Sequence, residues 1–150
     1  MSIYHLVDSL EQIDMEDSIS TKSISQIKDF IINHSLKNFH GEICGFVGFD
    51  EKNEEFVATL EKNESPDPKS FFLISPINYL KFKNQYSMLS IFHSHIMGDE
   101  NPSDFDIKMS ESCCLSFTVF SINTKKFHIY EPKNKDYNVK LLQRLKDKIL

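Results

Sequence analysis

The side chains best suited to chemistry fall in one stretch, from His93 to Asp106. On an extended strand, residues two apart face the same way, so His93 and His95 can present both imidazoles to one point while Ser94 faces elsewhere. If Pro102 lies in the first turn of a following helix, Ser103 and Asp106 sit three apart on one face of it. The loop 96–101 can then fold that helix back over the histidines. Two neutral imidazoles and one carboxylate make up the ligand set of an open catalytic zinc site, whose fourth position is left for water.

Each piece also has a plainer reading. A His-x-His pair on a strand is more often a surface or core feature than a pair of ligands. Ser103-x-x-Asp106 satisfies the helix-capping pattern, in which serine accepts a backbone N–H and the acid reaches back. The combination is harder to dismiss. With 6 His, 18 Ser and 11 Asp in 150 residues, His-x-His-x7-Ser-x2-Asp should arise in roughly one shuffled sequence in 500.

The elements that must position these residues follow from periodicity and turn chemistry. Ser23, with Gln26 three residues on, reads as the cap of a helix over 23–37 whose apolar side carries Ile24, Ile27, Phe30 and Ile31. Ile43 to Phe49 and Phe56 to Leu60 form a hairpin around Asp50-Glu51-Lys52-Asn53. Asn63 to Lys69 is a loop with two prolines, Phe71 to Ile74 reads as a strand, and Pro76 to Gln85 as a helix with proline in its first turn. A strand from Met88 to Ser94 leads into the histidines. Pro102 then opens a helix to about Ser112, and Leu115 to Ser121 pairs with Lys126 to Tyr130 as a second hairpin. A terminal helix places Leu141, Leu142, Leu145 and Ile149 on one side. Helices interspersed with hairpins give a mixed, largely antiparallel α/β domain of the α+β type rather than a doubly wound one.

Composition narrows the function classes. Hydrophobic residues at 40% and charged residues at 26% are those of an ordinary globular chain, and no apolar run suits a membrane span. Three cysteines, of which Cys113 and Cys114 are neighbours, cannot build a disulfide framework or a four-thiolate zinc site, which favours a reducing, cytoplasmic setting. Any metal must therefore rest on histidines and carboxylates. The net charge of −5 offers no general nucleic-acid surface. Residues 1–22 carry five carboxylates and one lysine and read as an acidic extension ahead of a domain over 23–150. Cys44 beside His40 could pass for a nucleophile, but it falls inside an apolar run and reads as a small packing residue. His128 reads as a surface residue.

The spacing resembles the JAMM signature of the MPN-type zinc metallopeptidases, a glutamate followed by His-x-His-x7-Ser-x2-Asp. Glu42 heads Glu42-Ile43-Cys44-Gly45-Phe46, similar to the Glu-x-Cys-Gly segment of bacterial members. Asn63 to Leu80, with Asp67-Pro68 and Phe72-x-Ile74-x-Pro76-x-x-Tyr79-Leu80, resembles the corresponding stretch of bacterial and phage tail-associated members. The resemblance spans about residues 23–150. It implies a curved mixed sheet flanked by helices, related to the cytidine-deaminase fold, with His93, His95 and Asp106 on Zn2+. By the same likeness Glu42 transfers protons and Ser103 stabilises the oxyanion. It further implies hydrolysis of an amide or isopeptide bond in a protein substrate, either a ubiquitin-like modifier or a phage tail precursor, with neither nucleic acid nor membrane as partner. Members of the family often pair with themselves, so a homodimer is an expected assembly, and those that lost the motif act as scaffolds. The 44 residues after Asp106 leave no room for a long substrate-selecting insertion.

Overall fold

The computed structural model describes residues 16–150. Among these residues ten elements follow in chain order: β1 (Ser18–Thr21), α1 (Ile24–Lys37), β2 (Cys44–Asp50), β3 (Glu55–Glu61), α2 (Pro76–Gln85), β4 (Ser87–His95), α3 (Asp104–Cys113), β5 (Ser116–Ser121), β6 (Phe127–Tyr130) and α4 (Val139–Ile149). The strands form one six-stranded sheet in the order β1-β3-β2-β4-β5-β6. All neighbours are antiparallel except β4 and β5, which run parallel because α3 carries the chain across between them. The expected mixed, helix-flanked sheet is therefore what the chain forms.

Alternation along the strands sends side chains into two separate cores. On one face Val47, Phe49, Phe56, Leu89, Phe92 and Phe120 meet Ile27, Phe30 and Ile31 of α1 and Leu142, Leu145 and Ile149 of α4. On the other, Cys44, Phe46, Val57, Ile91 and Phe117 meet Phe72 and Phe82. Each large apolar side chain so buried stabilises the fold by about 1.5–3 kcal/mol relative to exposure. Gly45 marks where the sheet has no room at all. A Cβ there would overlap the Thr59 carbonyl oxygen and the ring of Phe92, its partner on β4.

Several expectations shift. Ser23 stands at the start of α1 but makes no side-chain cap bond; Gln26 is instead engaged by Thr21, whose Oγ1 donates to its Oε1 at 2.7 Å and accepts from the Ser23 N–H at 2.9 Å. Phe71 to Ile74 is not a strand of the sheet. Its backbone is held by the preceding loop, with the Leu73 N–H on Asn63 Oδ1 at 3.1 Å and the Leu73 carbonyl accepting from the Glu64 N–H at 2.8 Å. Pro102 lies before the cap Ser103 rather than within the helix. Part of the acidic segment belongs to the sheet, because β1 pairs along its whole length with β3. The rest of that segment, residues 1–15, lies outside the described residues.

Candidate metal centre

The ends of three elements meet at one corner of the sheet: the C-terminal end of β4, the start of β2 and the N-terminus of α3. The register Cys44↔His93 continues through Ile43 and Ser94, where the Ser94 N–H donates to the Ile43 carbonyl at 3.0 Å and the Ile43 N–H donates to Ser94 Oγ at 2.9 Å. One step further places Glu42 beside His95. Because β5 is parallel to β4, the crossover helix α3 starts at this same end. Strand ends next to a crossover are where α/β sheets commonly build sites.

His93 Nε2, His95 Nε2 and Asp106 Oδ2 converge. Each histidine nitrogen is 3.1 Å from the carboxylate oxygen, and the two nitrogens are 3.2 Å apart. Among the described residues this is the group whose donor atoms approach closely enough to hold a metal ion. A tetrahedral ion with bonds of about 2.05 Å keeps its ligand atoms about 3.3 Å apart, so the triangle fits with only small adjustment. The proton inventory agrees. His95 Nδ1 lies 2.8 Å from the Asp99 carbonyl, which can only accept, so Nδ1 carries the proton and Nε2 of the neutral ring turns a lone pair toward Asp106. Two acceptors face each other there, and either a cation or a second proton must sit between them.

The two imidazoles respond differently to this setting. His93 is fully buried, and burial pushes its pKa down despite the hydrogen bond and charge of Asp106. For His95 burial also opposes the charged ring, but Asp106 and the Asp99 carbonyl outweigh it and the pKa rises. Burial alone would raise Asp106, yet the two histidine rings beside it and the hydrogen bond from the Ser103 N–H hold its carboxyl well below the usual range. His93 is stacked on Phe72, with ring centroids 4.5 Å apart, and Phe117 meets it edge-on at 5.8 Å. Its Nδ1 is buried with no hydrogen-bond partner.

Glu42 is 7% exposed, and its pKa is pushed up to about 8, chiefly by burial. His95 lowers it, while Asp106 and Asp67 add to the rise. A carboxyl poised near neutrality suits proton transfer. Its backbone is clamped on both sides: the Glu42 N–H donates to the Pro68 carbonyl at 2.6 Å, and Asn63 Nδ2 donates to the Glu42 carbonyl at 2.9 Å. Ser103 is exposed and forms a capping box with Asp106. Its Oγ accepts the Asp106 N–H at 3.1 Å, while the Ser103 N–H donates to Asp106 Oδ2 at 2.9 Å. The capping reading and the chemical one are thus compatible, because the hydroxyl proton stays available to donate.

All five residues singled out in the sequence therefore gather at this corner. The contributions of Phe72, Asn63 and the Asp99 carbonyl were not foreseen. Gly98 was the available sequence signal for a reversal in that loop, where it takes a φ of +85°, but it does not say which carbonyl faces His95. The cysteines play no part. Cys44 is buried, and burial together with the charges of Glu61, Glu42 and Glu64 raises its thiol to about 12. Cys113 is half-buried, and Cys114 ends α3 in the left-handed conformation with φ 58°. His40 is exposed, and His128 is half-buried on β6. Among the described residues no helix is long and apolar enough to cross a membrane.

Comparison with known proteins agrees with this geometry. The solution structure of a protein from Desulfitobacterium hafniense superposes with a TM-score of 0.54 at 24% identity, covering 73% of this chain and 78% of that one, which bears on the fold alone. The tail tip assembly protein K of Escherichia phage N15 is 26% identical over 93 residues, 62% of this chain. The chain spans only 37% of the length of that relative. The family described as prokaryotic homologs of the JAB domain matches residues 25–132, which takes in Glu42, His93, His95, Ser103 and Asp106. The chain belongs to this prokaryotic JAB-domain family.

Proposed function

We propose that the protein is a zinc-dependent peptidase or isopeptidase that hydrolyses an amide bond in a protein substrate. The observation that carries this reading is the convergence of His93, His95 and Asp106 into a triangle of tetrahedral dimensions beside the buried Glu42. When bound there, zinc supplies Lewis acidity toward the scissile carbonyl and lowers the pKa of a water molecule toward neutrality. Glu42, which is outside the triangle, accepts the proton lost from the attacking water and returns it to the leaving amine. Burial makes the carboxyl more basic than an exposed glutamate, which favours the first transfer. Ser103 offers its hydroxyl proton to the oxygen that gains charge, an oxyanion-hole contribution. Burial of His93 and the clamp on Glu42 fix both groups before substrate arrives.

For the substrate, the likeness to a tail tip assembly protein supports a phage tail precursor, and a ubiquitin-like modifier is the second candidate. The test begins with metal: purified protein should hold one zinc per chain or take it up stoichiometrically. Wild type and Glu42→Gln are then incubated with tail precursors and ubiquitin-like fusions. A substrate cut by wild type alone supports the proposal, and one cut equally by both shows that cleavage is not this site's. The relative's name also favours a second reading, an assembly module that does no chemistry. Full rescue of a cellular phenotype by His93→Ala/His95→Ala protein would establish that role and exclude the peptidase.

A further inference from the structure

The two histidines of the centre are held by unlike means, and one of them depends on a turn elsewhere in the sheet. His93 is fixed by aromatic packing, whereas His95 is fixed by the Asp99 carbonyl, which lies in the exposed loop 96–101. That loop is tied to the turn between β5 and β6 on either side of Asp99. On one side the Gly98 carbonyl accepts from Ser121 Oγ at 2.9 Å and from Asn123 Nδ2 at 3.3 Å. On the other, Thr124 Oγ1 donates to Glu100 Oε1 at 2.8 Å. The same turn reaches the histidine's own backbone, since the Ile122 N–H donates to the His95 carbonyl at 3.0 Å. The Thr124 N–H donates to Ser121 Oγ at 3.2 Å and ties the turn to itself.

The turn between β2 and β3 makes a useful contrast: its Glu51 Oε1 accepts from Ser87 Oγ at 3.0 Å, a contact far from the ligand triangle, and its Asn53 bonds within the turn. Asp50 there accepts from the Lys52 and Asn53 N–H groups at 3.1 Å and from Asn53 Nδ2 at 2.9 Å, closing the turn locally. A hairpin needs no more than that. The end of β5 and the β5–β6 turn instead direct three side chains, Ser121, Asn123 and Thr124, onto a separate loop, bracketing the one carbonyl that selects the tautomer of His95.

From this we infer that Ser121, Asn123 and Thr124 are positioning residues for the metal centre: they hold the Asp99 carbonyl against His95 Nδ1 and so keep the Nε2 lone pair directed at the ligand triangle. The inference rests on the zinc reading above but can be separated from it. Outer partners of this kind typically change metal affinity 10–100-fold when removed, because a freed imidazole divides between two tautomers, only one of which presents Nε2.

The experiment compares wild type, Asn123→Ala/Thr124→Val, Ser121→Ala, and Asn53→Ala as the matched turn control. Asn123 and Thr124 are exposed, so the double variant is expected to fold, and Ser121→Ala is nearly isosteric should one site prove insufficient. Two readouts are taken. Imidazole nitrogen NMR on metal-free protein, at a pH where the rings are neutral, gives the tautomer of His95; chelator competition gives the zinc affinity. The expected result is loss of the pure Nδ1–H form of His95 and an approximately 10-fold weaker zinc affinity in the turn variants, with the control like wild type. His95 remaining wholly Nδ1–H in both turn variants would overturn the inference. Absence of zinc binding by wild type would instead refute the zinc reading, and the tautomer measurement alone would still decide the role of the turn.

Discussion

The two faces of the sheet are packed with the same kinds of residue and serve different ends. Beneath α1 and α4, Ile31, Phe92, Leu142 and Leu145 pack among apolar side chains, and the buried imidazole there, His34, meets Phe30 edge-on at 4.5 Å and donates Nε2–H to the Glu16 carbonyl. On the opposite face Phe72 and Phe117 spend part of their contact area on the ring of His93. On the first face the imidazole is closed off by a backbone carbonyl and serves stability. On the second, aromatic packing fixes an imidazole whose Nε2 is turned to a carboxylate, which gives a donor atom a set position.

The sharpest way to separate the faces is to change chemistry without changing packing. Glu42→Gln should lower turnover on any substrate found by the panel above by about 10²–10⁴-fold, while zinc content and the melting temperature stay near wild type. Kinetics and metal analysis on the same preparation check it. The converse substitution, Leu142→Ala, should cost about 2–5 kcal/mol of stability through the cavity it leaves, with the zinc affinity of the folded protein unchanged. Urea unfolding with a parallel chelator titration tests this, and a large loss of affinity would show that the faces are not independent.

Ser103→Ala mixes the two effects in known proportions. Loss of a cap costs about 1 kcal/mol, whereas loss of an oxyanion donor lowers turnover by about 10²–10³-fold. Stability and turnover measured together should show both, and a rate close to wild type would leave Ser103 as a helix cap alone.

A last effect is expected on the pH dependence of the metal-free protein. Glu42 is raised from 4.5 to about 8, so its contribution to stability is fully present below 4.5 and is lost as pH climbs through about 8. Asp106 is shifted the other way; its contribution is present above 3.8 and disappears as the solution is acidified below that value. Unfolding midpoints in the presence of chelator should therefore decline from mildly acidic toward alkaline pH, and Glu42→Gln should flatten that decline.

Much of the centre was legible in the sequence because strand and helix periodicities act over short distances. His93 and His95 had to share a face, and Ser103 and Asp106 had to share a turn. Glu42 was found only through resemblance, since nothing local says that the start of β2 lies beside the end of β4. Phe72 was misplaced for a related reason: Phe71 to Ile74 has the composition of a strand, but Asn63 takes up its backbone groups before the sheet can. The Asp99 carbonyl could not have been read at all, because every residue has one. β1 was concealed by its composition, a Ser-Ile-Ser-Thr edge strand with no apolar run.

That edge strand, together with α4, bears on how the protein can be dissected. The family match ends at residue 132 and begins at residue 25, yet Leu142, Leu145 and Ile149 lie beyond the first limit and β1 lies before the second. A fragment trimmed to the matched stretch would uncover the apolar side of α1 and leave β3 as a bare, unprotected margin open to pairing with other chains. Such a fragment should be recovered as aggregate, and its inactivity would say nothing about the histidines. Recombinant work on this protein should therefore keep Glu16 to Leu150 intact.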